Sequence, residues 1–229
     1  MKYIRYAVYY APRAGQLADL AAAWLGWDNV VGCICAQPSL GGLEQNAADL
    51  TQDALRYGFH GTLKAPFRLA ETKTQADLSR ATQDLATRLP ALEFDGLILQ
   101  NLHGFLALCP KGSLAALSDL AGQVVSALDP WRAPLTQAEV ARRCPDALSD
   151  YGRMMLVRWG YPFVMDDFKF HLTLTNTQAT PQTAAVLAAY FAPELERAFL
   201  IEDLCLFGQT PDGYFHLIAR HPLTAVKQL

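Results

Sequence analysis

Apolar residues along this chain recur at two spacings, and strand-like and helix-like segments alternate. Residues 4–10 form an aromatic and β-branched run that predicts a strand. Pro12 then opens a predicted helix through residues 17–24, with Gly26 near its end. Residues 33–56 mix glycine, proline and polar positions and predict a loop with one short helix. Residues 57–67 (YGFHGTLKAPF) alternate as a strand that ends near Pro66. Leu78, Ala81, Leu85 and Leu89 recur at helical spacing within residues 74–89, and Pro90 stops that helix. Two strands over 92–100 and 104–109 follow, joined by a turn near Asn101 and His103. A helix over 114–128, helical patterns through 132–160 and a turn at 159–162 (WGYP) lead to a strand over 168–176. A helix over 180–191 and a hairpin of 199–207 with 214–219 complete the pattern.

The order strand, helix, strand, turn, strand therefore occurs twice, with little identity between the copies beyond their first strands. Strands followed by helices and then hairpins indicate an α+β fold rather than a parallel, doubly wound one. Duplicated halves commonly pack about a pseudo-twofold axis. The expectation is a bilobal, duplicated antiparallel-sheet fold with a central cleft. Its approximate parts are a first half over 1–110, a bridging helical insertion over 111–160 and a second half over 161–229.

The first strands of the two copies carry the candidate chemistry. His60-Gly61-Thr62-Leu63 returns as His171-Leu172-Thr173-Leu174. Alternate side chains of a strand point to opposite faces. His60, Thr62 and Lys64 are thus expected on one face, with Phe59 and Leu63 on the other. Lys169, His171, Thr173 and Thr175 are expected to share a face in the second copy. Two imidazoles facing one cleft can serve as general base and general acid, because a pKa near 6.5 keeps both forms accessible around neutrality. Beside them, Thr62 and Thr173 are candidate phosphate-binding hydroxyls. Lys64 and Lys169 are candidate counter-charges, equally readable as solvated strand-end residues. Tyr9, and Tyr161 or Phe163, are candidate sugar or base contacts, although aromatic residues more often serve packing. His103, His216 and His221 lack matching partners and read as structural or exposed. Arg142 and Arg143, with Glu139 nearby, read most simply as a solvated helix surface, and as a phosphate-facing rim only if the insertion folds over the cleft.

Composition narrows the function classes. The chain has 229 residues, 52% hydrophobic and 18% charged, with net charge −3. Its mean hydropathy is +0.09 and its pI about 5.9. No lysine/arginine block appears, which disfavours long nucleic acid as a partner and leaves a small phosphorylated sugar or nucleotide. The first thirteen residues lack the apolar stretch and cleavage site of a secretory signal, and no run of about 18 apolar residues predicts a membrane span. Cys33, Cys35, Cys109, Cys144 and Cys205 are odd in number and scattered, so no zinc site or disulfide framework is expected. Buried, reduced thiols in a cytoplasmic protein fit better. No metal and no cofactor is expected, and oligomeric state stays open.

The paired H-Φ-[S/T]-Φ tetrapeptides resemble the signature of the 2H phosphoesterase (LigT-like) superfamily. The wider runs over 57–67, 159–162 and 168–175 (FKFHLTLT), with RYAVYY over 5–10, resemble the branch labelled as a phosphonate metabolism protein and often encoded beside carbon–phosphorus lyase genes. One departure is Gly61, where that signature carries a hydrophobic residue.

The resemblance implies His60 and His171 as acid and base, Thr62 and Thr173 as phosphate ligands, and metal-independent opening of a small cyclic phosphate. Its genomic setting implies, more narrowly, a phosphoribosyl 1,2-cyclic phosphate from phosphonate breakdown. Two alternatives stand beside this reading. One is an RNA-end 2′,3′-cyclic phosphodiesterase or 2′–5′ RNA ligase-like enzyme. The other is a non-catalytic protein that binds a phosphometabolite.

Overall fold

The computed structural model describes residues 1–177 and 179–225 and is organised around a seven-stranded antiparallel sheet. In chain order the elements are β1 (Arg5–Tyr10), α1 (Gln16–Leu25), β2 (Trp27–Asp28), β3 (Cys33–Ile34), α2 (Ala47–Thr51), β4 (Gly61–Phe67) and α3 (Gln75–Ala86). Next come β5 (Leu92–Phe94), β6 (Leu97–Leu102), β7 (Phe105–Pro110), α4 (Ala115–Ala127), α5 (Gln137–Ala141) and α6 (Asp150–Trp159). The last are β8 (Leu172–Thr173), α7 (Pro181–Leu195), β9 (Phe199–Ile201), β10 (Asp203–Gln209) and β11 (Phe215–Pro222).

The sheet runs β11-β10-β1-β4-β8-β7-β6. The duplicated halves are interleaved in it. The histidine strand of the first half, β4, lies on the side of the second half's hairpin, β10–β11. The histidine strand of the second half, β8, lies beside the first half's hairpin, β6–β7. Equivalent strands also meet directly, β4 with β8 and β5 with β9, each pair antiparallel. Two self-equivalent antiparallel pairs are what a pseudo-twofold axis produces. The α+β, antiparallel expectation holds, with both halves contributing to one continuous sheet.

One sheet face carries the main core. Val8, Tyr10, Leu63, Phe67, Leu108, Leu172, Leu174, Leu204 and Leu206 pack there against Trp24 and Leu25 of α1, Leu78 of α3, Leu120 and Val124 of α4, and Leu187 and Phe191 of α7. Each such fully buried aliphatic or aromatic side chain is worth about 1.5–3 kcal/mol relative to exposure. The Trp24 indole N–H donates to the Leu174 carbonyl at 2.8 Å, so its polar edge is satisfied within this core. Residues 111–160 are more than a bridge, because α4 is part of this packing. On the opposite face Ala7, Tyr9, Cys205, Phe207 and Phe215 form a smaller cluster.

Several boundaries differ from expectation for identifiable reasons. Helix α1 starts at Gln16, because the Ala11 and Pro12 carbonyls are held by the Arg220 guanidinium. The run over 92–100 is two strands in different sheets, broken at Gly96, whose φ of +131° and close approach to the Leu195 carbonyl suit only glycine. The run over 199–207 divides likewise into β9 and β10. The second histidine strand is far shorter than 168–176. Both Leu174 and Thr175 N–H groups turn to the single Leu106 carbonyl, and Asn176 N–H goes to Leu50, so the ladder ends.

Gly61, the departure from the histidine-strand signature, now has a structural cause. It pairs with Leu172 across the β4–β8 junction, and a Cβ there would lie 2.2 Å from the Phe170 ring. The ring occupies the space a side chain would need. Gly61→Val should therefore lower stability by about 1–3 kcal/mol or more through overpacking. Urea unfolding would show it as a lower midpoint at unchanged slope. Adding Phe170→Ala should cost less in that background than alone, and strict additivity would contradict the account.

Candidate active site

Antiparallel pairing of Gly61 with Leu172 fixes the site. Extending that register by one residue each way sets His60 opposite Thr173 and Thr62 opposite His171. Directly opposed Cβ atoms sit about 4.5–5.5 Å apart and diagonal ones about 7–8 Å. The two histidines occupy the diagonal, each facing the other strand's threonine, all on the face opposite the main core.

Both imidazoles are anchored the same way. His60 Nδ1 lies 2.9 Å from the Gly58 carbonyl, and His171 Nδ1 lies 2.8 Å from the Lys169 carbonyl, each two residues upstream. A carbonyl only accepts, so each Nδ1 carries the proton and each neutral ring keeps its Nε2 lone pair free. The segment that presents the Gly58 carbonyl is held on either side of it. Gly58 adopts φ +67° against Asn29, and the buried Asn29 amide donates to the Tyr57 and Phe59 carbonyls at 2.9 and 3.3 Å. Nothing in the sequence pattern marks Asn29 for this task.

Two adjoining cavities open over this face. One, of about 260 Å³, is lined by His60, Thr62, Thr173 and Thr175, together with Tyr9, Tyr57, Tyr161, Arg5, Arg143 and Asp53. The other, of about 540 Å³, is lined by His171, Thr62, Lys169, His103 and the apolar Phe105, Phe163, Val164 and Phe168. Thr62, Ala65 and Tyr161 border both, so the two form one cleft with a histidine in each compartment. Among the described residues, no three His, Cys, Asp or Glu side chains gather as a metal site.

The compartments differ in character. The His60 ring lies 4.1 Å from Tyr9 and stacks at 5.8 Å on Tyr57, which in turn stacks on Phe215. Burial lowers the His60 pKa to about 4, the Gly58 hydrogen bond opposes this, and the nearby His171 charge lowers it further. His60 is therefore neutral at physiological pH. His171 meets Phe105 at 5.5 Å, in the more apolar compartment beside the exposed Lys169. Tyr9 is fully buried, yet among the described residues its hydroxyl has no hydrogen-bond partner, and burial raises its pKa well above the usual value. A buried hydroxyl beside the His60 ring with its donor uncommitted is uncommon in a folded protein.

The expected residues are thus brought together with one exception. Lys64 does not join His60 and Thr62. The register between β1 and β4 shifts between Thr62 and Lys64, a bulge that breaks the alternation. Lys64 is 3% exposed, donates to the Val125 carbonyl in the last turn of α4 at 3.0 Å, and lies 3.7 Å from Asp129. It serves as the cation at a helix C-terminus. Burial lowers its pKa to about 8 even with Asp129 adjacent. Arg143 lines the His60 compartment with its guanidinium 4.7 Å from the Tyr161 ring, which matches the cleft-rim alternative rather than the solvated helix surface. Arg5 and Tyr57 carried no motif and line it too, while His103 lines the other compartment. Thr175 accepts the Leu106 N–H at 2.9 Å and is buried. The cysteines are all free, but only Cys109 and Cys205 are buried. Cys33 and Cys144 are exposed, against the expectation of buried thiols throughout.

Two His-x-Thr strands side by side over one cleft are the arrangement that the two-histidine phosphoesterase resemblance leads one to expect. The chain belongs to the family described as a protein of unknown function, DUF1045, whose model matches residues 62–216. It is 36% identical over 174 residues to a ribose 1,5-bisphosphate phosphokinase PhnN of Janthinobacterium sp. (strain Marseille), covering 75% of this chain and 38% of that protein. It is 35% identical over 216 residues to the protein of the same name from Laribacter hongkongensis (strain HLHK9), covering 92% and 49%. The chain thus spans half or less of the length of these relatives. Among solved structures it is similar to a crystal structure of a phosphoesterase (TM-score 0.46, 14% identity) and to E. coli LigT complexed with NADP+ (TM-score 0.48, 12% identity). Both likenesses cover 98% of this chain and 100% of the other.

The neutral state of the half-buried His60 has a measurable consequence. Its folded-state pKa lies below the usual 6.5, so between pH 6.5 and about 4 the unfolded chain takes up a proton that the folded site resists. Stability should fall as pH drops through that window, and the effect is absent above it. Urea midpoints at pH 7 and pH 5 should differ less in His60→Gln than in the unsubstituted protein. An identical pH dependence would contradict the assignment.

Proposed function

We propose that this chain is a phosphoesterase that opens a small cyclic phosphate by two-histidine acid/base catalysis. The observation that carries the reading is the matched pair of imidazoles on adjacent antiparallel strands. Each is anchored through Nδ1 to a carbonyl, which leaves Nε2 free, each lines the cleft, and the register sets a threonine opposite each. A phosphodiester resists hydrolysis because its oxygens are negatively charged and its alkoxide leaving group is poor. In a cyclic phosphate the leaving oxygen stays tethered opposite the entering water, so one base and one acid on either side suffice.

Roles follow from environment. His60, neutral through burial, accepts the proton of the attacking water at Nε2. As the water oxygen bonds to phosphorus, the ring P–O bond breaks and its oxygen takes a proton from Nε2 of protonated His171. The product is an opened phosphomonoester, and proton exchange with solvent restores both rings. Thr62 and Thr173 hydroxyls hold the non-bridging oxygens as charge builds in the transition state. The Tyr9 hydroxyl adds a donor beside His60. The relatives' name concerns a phosphorylated ribose, which supports a phosphoribosyl cyclic phosphate as substrate class.

The test is an assay, with chelator present, of ribose 1,2-cyclic phosphates, nucleoside 2′,3′-cyclic phosphates and short RNAs ending in a cyclic phosphate. Ring opening of the small compounds is expected. Activity confined to RNA termini would favour RNA-end processing, and binding without turnover a sensor. His60→Ala and His171→Ala should each lower kcat by at least about 10²-fold with the fold retained, since a single proton transfer is worth ~10²–10⁴. Near-normal turnover in either would remove that residue from the scheme. Lys64→Met, remote from the cleft, should change kcat by less than about threefold, well short of the loss expected for a proton-transfer residue. The pH–rate profile should be bell-shaped, and a monotonic profile would contradict paired imidazoles.

A further inference from the structure

We propose that the His60 compartment holds a second anion subsite, formed by Arg5 and Arg143, that binds a phosphomonoester on the same sugar as the cyclic phosphate. The proposal rests on the phosphoesterase reading for the identity of that sugar, and on the following geometry for the subsite itself.

Arg5 and Tyr9 are four residues apart on β1, so they share a face and are separated along the strand by about 13 Å at the usual rise per residue. Tyr9 is opposite Thr62, at the histidine end. Arg5 therefore stands toward the end of the same cavity away from the histidines. Its Nε is fixed by donation to the Gln209 side-chain oxygen at 2.6 Å, which leaves the two terminal guanidinium nitrogens for the cavity. Arg143 reaches the cavity from the segment after α5, lying across the Tyr161 ring.

Among the described residues neither arginine has a carboxylate within salt-bridge distance, and of the arginines without one these two line the cavity. Asp53, exposed at the mouth, is the one acidic side chain among those lining the cavity. Two guanidiniums against one exposed carboxylate leave the compartment cationic. The chain as a whole carries −3. The Tyr9 hydroxyl, fully buried in the wall of the same cavity and without a hydrogen-bond partner among the described residues, is a further polar group facing it. Guanidinium groups suit a terminal phosphate because their paired N–H donors match its oxygens bidentately. The scissile phosphate is already served by the histidines and threonines. The arginines are then left for a second phosphate on the same molecule, one sugar away.

The test compares α-D-ribose 1,2-cyclic phosphate with and without a 5-phosphate, and separately measures binding of ribose 5-phosphate by calorimetry. The 5-phosphate should raise kcat/KM at least about tenfold, mainly through KM, as expected for a charge-assisted pair. Arg143→Gln should reduce that preference at least about fivefold, with partial recovery in Arg143→Lys, and Arg5→Gln should act in the same direction. Equal turnover of both compounds, or a preference that survives both glutamine substitutions, would overturn the subsite while leaving the phosphoesterase reading intact. If neither compound is turned over, that reading fails and ribose 5-phosphate binding decides the subsite alone. Affinity weakened at least about fivefold in Arg143→Gln supports it, and unchanged affinity overturns it.

Discussion

The site depends on one short strand junction, the antiparallel contact of Gly61 with Leu172 where β4 meets β8. Register there is a discrete variable. A slip of one residue would send every side chain of the shifted strand to the opposite face and turn its histidine into the core. The junction is short, so packing must secure what few ladder bonds do not. Phe170 fills the space over Gly61, and Leu63, Leu172 and Leu174 are buried in the main core beneath. Apolar anchors on one face thus fix the polar constellation on the other.

Pseudo-symmetry supplies two equivalent imidazoles, and their surroundings then make them different. The same carbonyl anchor recurs two residues before each histidine. Around His60 the wall is a stack of Tyr9, Tyr57 and Phe215, and burial there disfavours the charged ring. A base that must be neutral benefits from such a wall, whereas an acid that must enter charged does not. In the proposed scheme the division of labour is set by desolvation rather than by any change in the motif itself. Interleaving contributes as well, because β1 and β10–β11 supply the aromatic wall on one side only.

Much of this was legible in the chain. The paired His-x-Thr tetrapeptides, their strand context and the repeated element order were readable because alternation and turn residues are local signals. What was hidden depends on long-range geometry. A bulge between Thr62 and Lys64 reverses the face of Lys64, and alternation alone carries no sign of it. The double basic pair at Arg142 and Arg143 looked like a solvated helix end, and only the folding of α5 over the cleft makes Arg143 a wall residue. Asn29 acts through backbone carbonyls around Gly58, a role invisible to any pattern of side-chain types. The departure from the signature at Gly61 is accounted for by the Phe170 ring, which no local pattern places there.

The most direct measurement of the central claim is the structure of this protein crystallised with orthovanadate, which mimics the five-coordinate phosphorus of the transition state. The vanadium should lie between the two compartments, with Nε2 of both His60 and His171 within hydrogen-bond distance of oxygens on opposite sides. Vanadate held by only one ring, or bound away from both under saturating conditions, would contradict the convergence of two imidazoles on a single phosphorus.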